Sequence, residues 1–323
     1  MTWPVARTDP GTVGNGPFFS IITPTHNRPH LLRRAIDSVQ RQSMRDFEHI
    51  IVDDGCQQAT QKLVESYGDP RLLYIAHRAP QGAAGARNTG IRNARGHYIN
   101  LLDDDDEYLP GILEKTAALW TTIKDRHIGF VWTGVTRVQD TSEGEKTLRT
   151  QVWPSKFSSE KEGLMVSTAI GNGFGLSMRR MCAIAIGPYD KTLPIGEDTD
   201  FLIRLSKNYH FRTVPEVLVK IHHHDHFQLT DVKNSEIRRS CYQRIIERHI
   251  AFLERHWEVL YIHSMAYINH CYRLGRKMAG RRAFLRLIRR SPRERKTYRD
   301  WFCFEWFGCD YDTYLNRRAT RRP

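Results

Sequence analysis

Residues 99–110 read INLLDDDDEYLP, a short apolar run that breaks into four consecutive aspartates and a glutamate. The stretch 98–102 has the length and composition of a buried strand, so the carboxylates of Asp103 to Asp106 emerge at its carboxyl end. In open α/β sheets that end is where ligands bind. So much charge of one sign calls for a counter-cation. Carboxylate oxygens without neighbouring thiols suit a hard divalent cation, Mg²⁺ or Mn²⁺, whose shell is completed by water and substrate phosphates. The competing reading is an acidic turn capping the next helix, with Pro110 in its first turn. Two or three carboxylates satisfy a cap, and here there are five.

Working outward toward the N-terminus, short apolar runs alternate with helical segments: strands at 18–23, 47–52 and 72–76, helices at 29–41, 58–67 and 84–94. This is the pattern of βαβ units in a largely parallel sheet with right-handed crossovers. Each strand ends in polar residues that can meet in one crevice: TPTHN (23–27), DDG (53–55) and the aspartate run. Between them lies GAAGARNTG (82–90), with Arg87 and Asn88 at a helix start. Its small residues serve either to cradle a phosphate or to let a helix lie close on the sheet. Its spacing matches neither the dinucleotide fingerprint nor the P-loop.

Five blocks in order, SIITPTHNR (20–28), FEHIIVDDG (47–55), GAAGARNTGI (82–91), GHYINLLDDDDEYLP (96–110) and GEDTDFLIRL (196–205), resemble the family-2 glycosyltransferases over roughly residues 18–230. Members are inverting enzymes of the GT-A fold, so the resemblance implies a Rossmann-like nucleotide-binding mixed sheet flanked by helices. It further implies a nucleotide-sugar donor, most commonly a UDP-sugar, and a divalent cation, Mn²⁺ or Mg²⁺. Carried over residue by residue, Pro24, Thr25 and Asn27 help hold the nucleotide. Asp54, with Asp53 beside it, meets the uracil edge, where a carboxylate accepts the imide N–H. Arg87 sits near the base or diphosphate, and the D-x-D metal pair maps onto Asp103 and Asp105, with Asp104 between them; one carboxylate binds the metal and another contacts the ribose, Asp103 and Asp104 counting among the nucleotide-sugar contacts. The run leaves a second register open, Asp104 with Asp106.

Downstream, GNGFGLSMRR (171–180) resembles the segment between donor and acceptor sites, giving Gly171, Asn172 and Gly173 an acceptor role; an ordinary turn before a strand reads equally from its residues. Glu197 and Asp198 open an apolar-periodic helix, where capping alone explains them. By resemblance Asp198 is the general base that deprotonates the acceptor hydroxyl, with Glu197 or Asp200 as fallback. In VKIHHHDHFQLT (219–230) four histidines fall within five positions. Neutral imidazole is a common metal ligand, and His222, with His224 on the same strand face, is the match to a family histidine that reaches the metal or diphosphate.

At 323 residues, with 40% hydrophobic and 26% charged side chains, the chain has the composition of a globular protein with a sizeable core. The net charge of +13 is concentrated: between 271 and 299 stand twelve Lys or Arg against one acid, Glu294. Such a segment seeks anions, and its alternation of arginines with Phe284, Leu285, Leu287 and Ile288 suits a helix lying on an anionic membrane surface as well as one packed on its own domain. Six scattered cysteines without C-x-x-C pairing fit a reducing compartment. Neither an apolar leader nor a run long enough to span a bilayer is evident, so a cytoplasmic location, peripheral on the inner membrane face, is expected.

The expected organisation is a lead-in over 1–17, a catalytic domain over 18–230, and a basic, aromatic-rich helical region over 231–323 with helices at 235–257, 261–278 and 281–290. The expected acceptor is a glycan or glycolipid of the cell envelope, such as lipopolysaccharide, capsule or exopolysaccharide. A sugar-phosphate nucleotidyltransferase would need a Gly-rich N-terminal loop followed by lysine, which TPTHNRPH does not offer. Nucleic-acid binding through the basic region is opposed by five acids on the proposed active face.

Overall fold

A strand covered on both faces needs apolar residues at successive positions. Phe19–Thr25 (β1) and Phe47–Asp53 (β2) meet that demand: every residue of β2 and all but one of β1 are buried. The computed structural model describes residues 16–55, 58–141, 144–155, 157, 163, 174–223 and 234–307. In spatial order the sheet runs Leu72–Ala76 (β3), β2, β1, Tyr98–Leu101 (β4), Leu176–Arg179 (β8), Ile128–Thr141 (β6), His210–His223 (β9) and Glu107–Tyr108 (β5), while Gly144–Gln151 (β7) pairs with β6. The first four strands are parallel. β8 is antiparallel to both neighbours, β9 runs parallel to β6, and β5 is antiparallel to β9. The sheet is therefore mixed, and the largely parallel sheet read from the alternation is confined to its first half.

Helices Pro29–Gln40 (α1), Gln58–Glu65 (α2) and Gly82–Asn93 (α3) provide the crossovers, followed by Ile112–Thr122 (α4), Arg180–Ile186 (α5) and Glu197–Asn208 (α6). The small-residue stretch of α3 serves close packing: a Cβ on Gly90 would lie 2.3 Å from Ile22 Cγ2 of β1. One face of the sheet is sealed by Phe19, Ile21, Ala35, Val39, Leu113 and Trp120. Trp120 Nε1 donates to Ser177 Oγ at 2.9 Å, so this buried polar group is satisfied. The helix after the aspartates begins at Ile112 behind Gly111, at φ 86°, so Pro110 lies outside the first turn expected to hold it. The chain makes its bend at the left-handed Gly111, a conformation open to glycine.

The chain divides into two compact units, with the sheet in the first and the last four described helices in the second. These are Ser235–Leu253 (α7), Trp257–Arg273 (α8), Lys277–Arg290 (α9) and Arg295–Phe307 (α10). They close around Leu253, Leu260, Ile268, Phe284, Leu287 and Phe304. The aromatic stretch from Trp301 onward thus begins as the end of a helix, with Phe304 in the core. Among the described residues no helix is long and apolar enough to cross a membrane.

Candidate active site

The site is built where β1, β2 and β4 end. The four aspartates do not point one way, because they form a turn, closed by the Asp106 N–H donating to the Asp103 carbonyl at 3.2 Å. Asp103 and Asp105 keep 28% and 22% of their side chains exposed. Asp104 and Asp106 are buried. Asp104 accepts from Thr25 Oγ1 at 2.7 Å and from Arg28 Nη2 at 2.6 Å, which ties the turn after β1 to the turn after β4. Burial pushes the Asp104 carboxyl up to about 7, against the opposing charge of Arg28. Asp106 accepts the backbone N–H of His222 at 3.1 Å, and burial together with the charges of Asp105 and Asp103 raises its carboxyl well above the usual range.

Much of the counter-charge expected from a metal is supplied by arginines. Arg28 Nη1 also reaches Asp105 Oδ2 at 3.0 Å, and Arg34 Nη2 donates to the Asp105 carbonyl at 2.5 Å. Neither arginine was singled out in the sequence; the available signal was their place at the cap and in the first turns of the helix that follows β1, in THNRPHLLRR. Arg87, the residue nominated from the small-residue block, bridges the two halves of the site. Its Nη2 donates to Asp103 Oδ1 and its Nη1 to Glu197 Oε1, both at 2.8 Å. The guanidinium lies 5.8 Å from the centroid of the Tyr189 ring, which stacks on Phe201 at 4.0 Å. Asn88 fixes that partner by a reciprocal pair, Nδ2 to the Tyr189 carbonyl at 2.9 Å and Tyr189 N–H to Oδ1 at 2.7 Å.

At the start of α6, Asp198 Oδ1 accepts the Thr199 N–H at 2.7 Å, which fixes the direction of the carboxylate. Burial raises the Asp198 carboxyl, opposed by Arg87. Glu197 is pushed up to about 7, first by burial and then by the charge of Asp198. Asp200 is buried and paired with Arg204 at 2.9 Å, one turn further along the same helix.

The two aspartates of β2 and its turn are occupied. Asp53 accepts from the Gly55 N–H and the Tyr74 hydroxyl, both at 2.8 Å. Asp54 receives the N–H groups of Gln81 and Gly82 at 2.7 and 2.8 Å, capping α3 from a distance, and pairs with His77 Nδ1 at 2.7 Å. An ionised carboxylate offers about four acceptor positions, so three partners leave Asp54 about one for an incoming N–H. Pro24 is the one β1 residue not fully buried, and Asn27 adopts φ 57° in the turn beyond it. Gly55 lies against that turn, since a Cβ there would come within 2.0 Å of Asn27 Oδ1.

His222 does not join Asp103 and Asp105. Its backbone bonds Asp106, which turns the ring toward β5 and β6, where Nε2 meets Glu107 at 2.7 Å and Nδ1 meets Asp140 at 3.0 Å. Among the described residues, the ligand atoms that converge within 4.8 Å of one another are those of Glu107, Glu145 and His222. Lys220 Nζ lies 2.8 Å from Glu145 and 3.9 Å from Glu107, so that group already holds a cation. His224 and Gly171, Asn172 and Gly173 lie outside the described residues.

Residues 20–184, about half of the chain, match the profile described as "Glycosyl transferase family 2". The chain belongs to glycosyltransferase family 2. This family-2 glycosyltransferase is 30% identical over 186 residues to an uncharacterized glycosyltransferase of Haemophilus influenzae, covering 58% of this chain and 61% of that protein. It is 40% identical over 100 residues to the GalNAc(5)-diNAcBac-PP-undecaprenol beta-1,3-glucosyltransferase of Campylobacter jejuni, covering 30% and 32% of the two chains. The match thus spans less than two thirds of these relatives' own length. Its fold superposes on the crystal structure of S. aureus TarS 1-349 in complex with UDP-GlcNAc with a TM-score of 0.58 at 17% identity, covering 87% of this chain and 91% of that one. The architecture is GT-A, as the sequence resemblance implied.

Proposed function

We propose that this chain moves a sugar from a nucleotide-sugar, a UDP-sugar in the first instance, to a hydroxyl of a cell-envelope glycan or glycolipid, with inversion at the anomeric carbon. The observation that carries this reading is the Arg87 bridge, which brings the acids after β4 together with the start of α6. The donor's diphosphate is then held at Asp103 and Asp105 and by Arg28 and Arg87. The acceptor hydroxyl stands at Asp198.

The exposed carboxylates of Asp103 and Asp105, with no thiol beside them, fit a hard divalent cation. Such an ion would offset negative charge growing on the departing diphosphate. The chain's own residues do the rest. Thr25 and Arg28 set the height of the aspartate turn. Asp54 has acceptor capacity for the imide N–H of a uracil, while Pro24, Asn27 and Asp53 shape the turns around it. Asp198 takes the acceptor's proton as that oxygen forms its bond to the anomeric carbon and the bond from that carbon to the diphosphate oxygen breaks. A single displacement of this kind inverts the configuration. Burial makes the ionised Asp198 a stronger base than a solvated aspartate, whereas Glu197 is committed to Arg87.

A lipid-linked acceptor is supported by the name of the Campylobacter relative, whose substrate is carried on undecaprenol diphosphate. The test is Asp198→Asn. Transfer should fall by about 10²–10⁴-fold while UDP binding persists; full activity in this variant removes Asp198 from the role of base. Proton NMR of the first product bond reports inversion or retention directly.

A further inference from the structure

We propose that the outer face of α9 and α10 is a docking surface for an anionic phospholipid bilayer. The two helices lie side by side. Arg281 Nε and Nη2 donate to Glu305 at 2.7 and 2.8 Å, and Phe284 stacks on Trp301 at 5.8 Å. Each turns its buried side, Phe284 and Leu287 on one and Phe304 on the other, to the same core. Their opposite faces therefore share one outer surface.

That surface combines two chemistries. Along α9, Met278, Arg282, Leu285 and Arg289 are exposed at spacings of four, three and four, which places them on successive turns of one face. Along α10, Tyr298, Phe302 and Trp306 are exposed every fourth residue, and the rings of the last two lie 6.0 Å apart. The exposure is large: Trp306 75%, Met278 60%, Phe302 53%. Residues 277–307 carry ten Lys or Arg against three acids. Two of these acids, Asp300 and Glu305, are taken by Arg299 and Arg281. Among the described residues Arg282, Arg286 and Arg289 stand in solvent without an acidic partner.

Large, partly exposed apolar side chains set among exposed arginines fit a phase boundary, in which the apolar groups enter the acyl margin and the guanidinium groups meet lipid phosphates. Tryptophan and tyrosine favour that depth because their rings are amphipathic. A single-stranded nucleic acid would use the aromatic rings for stacking but gives no use to Met278 and Leu285. This inference goes beyond the sugar-transfer reading and stands apart from it, since vesicle binding requires no chemistry at the sheet.

The experiment is flotation of the full chain with vesicles of phosphatidylglycerol and phosphatidylcholine in equal parts, beside vesicles of phosphatidylcholine alone. The chain should float with the first and not the second. Raising ionic strength from about 0.1 M to about 1 M shortens the screening length from about 10 Å to about 3 Å and should release it. Replacing Arg282, Arg286 and Arg289 together by glutamine should weaken partition roughly a hundredfold, and Phe302→Ser with Trp306→Ser about tenfold. These residues are on the surface, so circular dichroism should be unchanged. Brominated lipid should quench the wild type more than Trp306→Phe. The proposal is overturned if neutral vesicles bind equally, if the variants float like the wild type, if RNA is retained where vesicles are not, or if the face proves to hold two copies of the chain together. Sugar transfer to a soluble acceptor, measured separately, keeps a failure here distinct from failure of the active-site reading.

Discussion

His49, in the middle of β2, has no exposed surface, and its Nε2 lies 2.9 Å from Thr23 Oγ1. Burial pushes its pKa down to about 3, so the fold holds a neutral imidazole where the unfolded chain, with a pKa near 6.5, carries a cation in acid. The unfolded state binds the extra proton, so this contribution is fully present above about pH 6.5 and is lost progressively as pH falls toward 3. The total loss approaches about 5 kcal/mol at roughly 1.4 kcal/mol per pH unit. Denaturant unfolding across that window should show this slope in the wild type, and a clearly flatter one in His49→Gln. A slope unchanged by the substitution would mean that other groups set the acid limit. At the same scale, the aspartate run shows how a motif read as one cluster separates into roles. Asp103 and Asp105 face outward, Asp104 is tied to Thr25 and Arg28, and Asp106 holds the backbone of His222.

At the scale of elements, α3 owes its place to Gly90, where even a methyl group would meet Ile22. Gly90→Ala should cost about 2 kcal/mol by overpacking. Combined with Ile22→Ala, the loss should fall short of the sum of the two by at least about 1 kcal/mol, as a double-mutant cycle would reveal; strict additivity would mean that α3 rides clear of β1. The elements most visible in the sequence were those whose burial is one-sided or complete. β1, β2 and β4 stood out because both faces of a central strand demand apolar residues, and β3, a half-buried edge strand, by its apolar run LLYIA. The β6–β7 hairpin did not, since β7 is exposed along nearly its whole length and the outer half of β6 is polar. Their pairing comes from backbone partners, with contacts such as Thr136 to Thr150 at 3.1 Å, and leaves no period-2 apolar signal. β5, two residues long, is too short to show a period at all, and β8 was readable only as the strand following the glycine-rich stretch. Within the site, Arg87 and the acids were legible as charged residues after strands and at a helix start. Arg28, Arg34 and Tyr189 were not, because their roles depend on contacts across long sequence separations.

At the scale of the whole chain, charge is sorted by region. The surplus of +13 is concentrated in the last helices, while the acids after β4 are matched by Arg28 and Arg87, and Arg34 donates to the Asp105 carbonyl. A nucleoside diphosphate supplied with Mn²⁺ at about a hundred times its dissociation constant should stabilise the fold by roughly 2.7 kcal/mol in a thermal-shift experiment. UDP or the ion alone should do much less, and equal stabilisation by the ion alone would overturn the placement of the metal at Asp103 and Asp105. The reason lies in the grip of Arg28 on Asp104 and Asp105, so that a lone cation competes with a guanidinium already in place. On the proposed reading, a diphosphate would give the guanidinium another anion to hold and leave the carboxylates to the ion. On that same reading, ion and nucleotide would therefore arrive and leave together as one charge-balanced package, with Arg28 as the latch between them.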